Sequence, residues 1–174
     1  MDPWTPWLQC SETGAPFSHC IHCRMPLLEL DQAWLINKDY HHGECTLEYA
    51  ICSGCRDLIS EGFSKESRAA IREFIEQEIP WQERIGQYLV EPRKRLEACI
   101  VCEKSRRSVP SFAISALFDS SGRITEGPLP LLICGTCSGR MTERLSSSTR
   151  EAWQRFLNDH FDSPPRDSSL PGML

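Results

Sequence analysis

Four Cys-x-x-Cys pairs constrain this chain more than anything else in it: Cys20/Cys23, Cys52/Cys55, Cys99/Cys102 and Cys134/Cys137. They fall into two sets, CIHC followed after 28 residues by CSGC, and CIVC followed after 31 residues by CGTC. Beyond the second pair of each set the sequence repeats without a gap. Ile71, Phe74, Ile75 and Ile79 stand where Trp153, Phe156, Leu157 and Phe161 stand in the second copy. Ser64, Ser67, Arg68 and Glu61 correspond in the same way to Ser146, Thr149, Arg150 and Glu143. The chain is an internal duplication with one four-thiol set per copy. Four thiolates at this spacing fill the tetrahedron of a structural zinc ion, so two Zn²⁺ per chain are expected. Sequential pairing follows from the repeat: Cys20 and Cys23 with Cys52 and Cys55, then Cys99 and Cys102 with Cys134 and Cys137.

Each copy alone is small enough to need a staple, and a metal supplies one. No apolar run approaches the ~18 residues of a membrane span. The opening MDPWTPWLQC lacks the basic-then-apolar order of a secretory signal. The expectation is a cytoplasmic protein whose thiols bind metal rather than form disulfides. The net charge of -5 disfavours wholesale wrapping of nucleic acid. Arg93 to Arg107 is the exception, with six basic residues against two acidic.

Along the chain, residues 1–19 form an arm in which Trp4 and Trp7 flank Pro6. Residues 20–80 form the first repeat, 81–98 a helical linker, 99–161 the second repeat and 162–174 a Pro- and Ser-rich disordered tail. In the first repeat two short strands are expected near 33–37 and 46–51, with the polar Asn37-Lys38-Asp39 between them. The second strand runs into Cys52, Cys55 lies on a short helix ended by Gly62, and Ser64 caps the next helix. Gly54 permits a tight knuckle with N–H groups aimed at sulfur. Ile71, Phe74, Ile75 and Ile79 fall on one helical face, which Pro80 closes. Trp81, Ile85, Tyr88 and Leu89 share the same spacing and predict a packed linker helix that holds the copies together. In the second repeat Phe112–Phe118 reads as a strand, Asp119-Ser-Ser-Gly122 as a turn, and Leu131–Ile133 as the strand entering Cys134.

The recurring order is knuckle, β-hairpin, then a second Cys-x-x-Cys at a helix start. Over about 20–79 and 99–161 it resembles the treble-clef class of zinc domains, with the plain zinc ribbon as its neighbour. That resemblance implies a scaffold rather than an activity. The fold class expected is a small α+β zinc-stabilised fold, its duplicated knuckle–hairpin–helix units packed as one pseudo-symmetric body. A closed four-thiolate site leaves no position for water or substrate, so these sites fold the protein and do not catalyse. Two alternatives stay open for the pairs. Leu131-Leu-Ile-Cys-Gly-Thr-Cys looks locally like a thioredoxin-like active site, and four thiolates hold iron as well as zinc. An interleaved, ubiquitin-ligase-type cross-brace is disfavoured by the repeat.

His42-Gly-Glu-Cys45 resembles a fragment of a LIM domain, but the spacing to Cys52 departs from that pattern, and a surface turn is the plainer reading. His19 and His22 read as solvated or outer groups, and Cys10 as a bystander. No phosphate loop, dinucleotide fingerprint or His-Glu-x-x-His motif is present. The leading function is a zinc-stabilised protein-interaction or regulatory module, with Trp4, Trp7, His41 and His42 as partner-binding candidates. The rival is nucleic-acid or ribosome binding through Arg93, Lys94, Arg95, Lys104, Arg106 and Arg107.

Overall fold

The computed structural model describes residues 5–125 and 127–164. Trp4 and the tail from 165 onward, for which partner binding and disorder are expected, lie outside the described residues. The elements are α1 (Thr5–Leu8), β1 (Trp34–His41), β2 (Glu44–Cys52), α2 (Ser53–Glu61), α3 (Lys65–Glu78), α4 (Trp81–Val90), β3 (Ser111–Phe118), β4 (Leu131–Cys134), α5 (Gly135–Glu143) and α6 (Ser147–His160). The chain is α+β, and none of its described helices is long and apolar enough to cross a membrane.

One antiparallel sheet of four strands, in the order β2-β1-β3-β4, takes two strands from each repeat. The seam between the repeats is the β1–β3 ladder, from Trp34 opposite Phe118 to His41 opposite Ser111. Trp34 stacks on Phe118 with ring centroids 4.2 Å apart, and Tyr40 stacks on Phe112 at 4.9 Å. Both pairs stand directly across the ladder, where aromatic neighbours contribute roughly 0.2–1 kcal/mol each beyond alanine. Because β1 is central and covered on both faces, seven of its eight residues are buried.

That burial corrects the strand boundary expected from sequence. Asn37, Lys38 and Asp39 carry the strand past its expected end; they lie inside β1, at most 3% exposed. The chain turns at His42 and Gly43, inside the surface turn read from sequence, and their φ values of 50° and 83° suit a two-residue hairpin loop. The polar triplet is held by partners that the sequence places far away. Asn37 accepts from Ser115 Oγ at 3.1 Å across the β1–β3 seam and donates to Asp39 Oδ1 at 3.2 Å. On the opposite face Lys38 Nζ donates to the Gln9 carbonyl at 2.6 Å and pairs with Glu48 at 3.3 Å.

The amphipathic helices of each repeat pack across the repeat boundary. Phe156 and Phe161 from the second repeat lie on Tyr49 of β2, with centroids 6.1 and 6.0 Å apart. In the other direction, Glu78 at the end of α3 pairs with Arg140 and Arg144 beyond Cys137, at 2.9 and 2.8 Å. Arg144 also lies over the Phe74 ring, 5.2 Å from its centroid.

The two helix starts meet. Ser64 caps α3 by accepting from Ser67 N–H at 3.1 Å, and Ser146 caps α6 by accepting from Thr149 N–H at 3.3 Å. The pairs also exchange bonds: Ser64 N–H donates to Thr149 Oγ1 and Ser146 N–H to Ser67 Oγ, both at 2.9 Å. Ser64 and Ser146 hydroxyls are 2.9 Å apart. Both positive helix ends point at this spot, and hydroxyl oxygens are the acceptors that make the approach tolerable. Ser146→Ala is expected to lose a cap and leave donors in the cluster unmatched. A loss of about 1–2 kcal/mol should appear in urea unfolding, whereas Ser148→Ala, an exposed neighbour, should stay within about 0.5 kcal/mol.

The linker helix differs from its expected face. Tyr88 is buried and Trp81 partly so, but Ile85 is 43% exposed and Leu89 80%. The residue that points inward with Tyr88 is Arg84, 4% exposed. Its Nε donates to the Ile100 carbonyl at 2.8 Å and its Nη2 to that of Val101 at 3.1 Å, with Glu103 balancing the charge at 2.8 Å. An arginine satisfies the backbone of the second knuckle, a demand that hydrophobic periodicity does not reveal.

Candidate metal centres

Two tetrads assemble, Cys20, Cys23, Cys52 and Cys55, and Cys99, Cys102, Cys134 and Cys137; within each, the sulfurs lie within 4.8 Å of one another. The grouping follows repeat order and does not interleave as a cross-brace requires. Three sulfurs of each tetrad are buried, and Cys23 and Cys102 face solvent.

Both centres are built by the same local steps. In the first, Cys20 N–H donates to the Met25 carbonyl and Arg24 N–H to the Cys20 carbonyl, with Arg24 at φ 62°. In the second, Cys99 N–H donates to Lys104 and Glu103 N–H to Cys99, with Glu103 at φ 62°. Each knuckle is tied to the end of a strand by one 2.8 Å bond, Ile21 N–H to Ala50 and Ile100 N–H to Leu132. The strands then deliver Cys52 and Cys134 to helix N-caps with φ of -71° and -74°. There the Cys52 N–H points at Cys20 Sγ at 3.4 Å, and the Cys134 N–H at Cys99 Sγ at 3.3 Å.

The N–H of Gly54 itself donates to Gln32 Oε1 at 2.8 Å. The knuckle glycine that space requires is Gly135: a Cβ there would stand 2.0 Å from Ser111 Oγ.

The electrostatics call for a cation. Burial raises the Cys20 thiol, but N–H groups from Cys52, Cys23 and His22 outweigh it and leave the group below its ordinary value. The Cys134 thiol falls to about 3 because the Cys137 and Cys99 thiols donate to it, and Cys137 is driven far up by the same contacts. All four sulfurs ionise together only around a metal, whose charge offsets theirs. Two centres of this kind are compatible with two structural metal ions, and a donor set of four cysteines is the one structural zinc uses.

The other candidate residues are dispersed. Trp7 is partly buried, edge-on to Tyr40 at 5.8 Å, with the Arg106 guanidinium 4.3 Å from its ring centroid. Arg106 also donates to the Leu96 carbonyl. Arg95 lies over the Tyr88 ring at 4.9 Å and donates to the Gly127 carbonyl at 2.9 Å, and Lys94 pairs with Glu91 at 3.3 Å. Of the basic segment, Arg93, Lys104 and Arg107 are exposed. His41 ends β1 half-buried, and His42 is exposed in the hairpin turn. His22, read from sequence as a solvated or outer group, is exposed but packs across the repeat boundary, its Nδ1 3.2 Å from His160 Nε2.

Neither remaining cysteine joins a tetrad. Cys10, expected to be a bystander, and Cys45 both donate to Glu48, at 3.4 and 3.6 Å, and the Ser11 N–H reaches the same carboxylate at 2.8 Å. Burial pushes the Cys45 thiol up to about 11, so it is an inert donor at neutral pH. Glu48 is the clamp that holds the N-terminal arm to the sheet. Burial alone would raise its pKa, but the Lys38 ammonium and the Ser11 N–H lower it below the usual carboxylate range. A carboxyl whose folded pKa is depressed stabilises the fold above the unfolded value of about 4.3, and that contribution is lost as pH falls through the lower folded value. Glu48→Gln should therefore flatten the acid limb of the stability profile. At pH 7 it should cost about 3–5 kcal/mol, because Lys38 is left buried without its counter-charge. Thermal melts at a series of pH values read out both effects.

No protein-family model, no curated protein and no solved structure matches this chain.

Proposed function

We propose that the chain is a zinc-stabilised protein-interaction or regulatory module without catalytic activity, built from two treble-clef units arranged as a pseudo-symmetric pair. The observation that carries this reading is the pair of closed four-sulfur centres, each ending a strand and starting a helix. A site whose four ligands all come from the chain keeps no position for substrate and contributes folding free energy instead. In this reading the protein works in a reducing, cytoplasmic setting, where its ten unpaired cysteines remain thiols or thiolates. Its surfaces meet a protein partner.

The test is metal content after purification without added metal. Two zinc per chain, with no visible absorbance and no thiol-disulfide exchange activity, is the expected result. Iron with a visible chromophore overturns the zinc assignment, and disulfide exchange overturns the structural one. Nucleic-acid binding is the weaker alternative, because Arg95 and Arg106 are engaged within the protein and Lys94 is paired. Binding to either polymer at ~50 mM salt should be absent. Salt-sensitive binding lost on Lys104→Glu with Arg107→Glu would establish that alternative.

A further inference from the structure

A cleft of about 570 Å³ opens between the N-terminal arm and the end of the β1–β3 seam, far larger than a packing defect and within the range of small-ligand sites. Trp34 and Phe118, stacked 8° from parallel, form part of its wall, with Leu8 and Phe17 of the arm on one side and Leu28 and Ile124 on the other. Leu28 remains 66% exposed, a large apolar side chain at the edge of an already apolar cavity. Thr5, Gln9, Ser121 and Arg123 add polar groups to that lining. The Trp34 indole N–H is buried and has no hydrogen-bond acceptor among the described residues. Arg123 stands exposed at the rim, with no ion pair among the described residues.

Arg123 is delivered by a turn that Asp119 holds. One Asp119 oxygen accepts from Ser121 N–H at 2.9 Å, Ser121 O–H at 2.6 Å and Arg123 N–H at 3.0 Å. Those bonds hold the turn and lower the Asp119 pKa, the Ser121 hydroxyl first among them, and the Arg123 charge adds a smaller pull in the same direction. The Arg123 guanidinium is exposed at the rim, where an anion from outside can reach it. Aromatic walls accept a flat ring, and a guanidinium offers a planar fork to a carboxylate.

We propose that this cleft binds a small aromatic carboxylate, its ring among Trp34, Phe118 and Leu28 and its carboxylate on Arg123. The site is separate from both tetrads and does not depend on the scaffold reading above.

Titration calorimetry of the full metal-loaded chain with 1-naphthoate, and with its neutral counterpart 1-naphthamide, tests the assignment. One naphthoate per chain is expected. Arg123→Gln should weaken naphthoate about fivefold, the worth of a rim ion pair, and change naphthamide less than about twofold. Leu28→Trp, which fills the cleft from an exposed position, should abolish both, and Ile124→Trp replaces it if that variant does not fold. Three results overturn the proposal: no saturable naphthoate binding, equal losses for both ligands on Arg123→Gln, or unchanged binding in a folded cleft-filling variant. Far-UV circular dichroism and metal content establish that each variant is folded.

Discussion

Changing Cys52 and Cys55 together to serine is expected to lower bound metal from two ions per chain to one and to abolish cooperative unfolding of the whole molecule. A structural four-thiolate site contributes on the order of 10–16 kcal/mol, as much as or more than the 5–15 kcal/mol by which a domain of this kind is stable. The loss cannot stay local. Cys52 ends β2, which pairs with β1, and β1 in turn carries the seam to β3. Releasing one centre therefore removes the cooperative link through the sheet, while the second tetrad, whose four ligands lie within 99–137, keeps its ion. Metal analysis and thermal circular dichroism measure the two consequences separately. Changing Cys10 and Cys45 to serine serves as the contrast: both ions should remain, since neither thiol belongs to a tetrad. Retention of two ions by the Cys52/Cys55 variant would remove the assignment of these ligands.

Phe156→Ala is expected to cost about 3–5 kcal/mol, the range for deleting a large aromatic side chain from a core. Phe156 is 6% exposed and stacks on Trp153 at 5.1 Å while meeting Tyr49 of β2 edge-on. It also lies 6.3 Å from the His22 ring in the first knuckle and 4.5 Å from that of His160. One side chain of the second repeat thus closes the sheet face and touches the metal-binding knuckle of the first. Its repeat counterpart, Phe74, lies instead under Arg144. Urea unfolding should show the loss, with both metal ions still bound in the folded variant because Phe156 is not itself one of the ligands. A loss under about 1 kcal/mol would mean that α6 does not close the core as described.

The parts of this protein written in local spacing were legible without coordinates. Cys-x-x-Cys pairs read as tetrads because ligation needs two thiols per knuckle, and that need is met within four residues. Ser64 and Ser146 read as caps because a cap acts only a few residues ahead of itself. The faces of α3 and α6 were visible through 3.6-residue periodicity. What failed to show was every case in which a polar residue is buried by a partner remote in sequence. Asn37-Lys38-Asp39 has the composition of a turn, and only Ser115, Gln9 and Glu48 make it a strand. Ile85 and Leu89 have the spacing of a packed face, yet Arg84 occupies the inward position because the second knuckle presents carbonyl groups there. Arg93 to Arg107 looks like one basic patch along the chain. In space, Arg95 and Arg106 are drawn onto Tyr88 and Trp7.

The sequence by itself determined that there are two copies, that each carries four sulfur ligands at knuckle spacing, and where the capped amphipathic helices begin. Tertiary structure alone decided how the copies join: β1 beside β3, Ser64 against Ser146, and α6 of one repeat over β2 of the other. The reason is physical. Ligand spacing, caps and periodicity are satisfied within a few residues and leave a local trace. The choice of which apolar face covers which sheet depends on contacts between segments 85 to 107 residues apart, and such contacts impose no spacing on either segment.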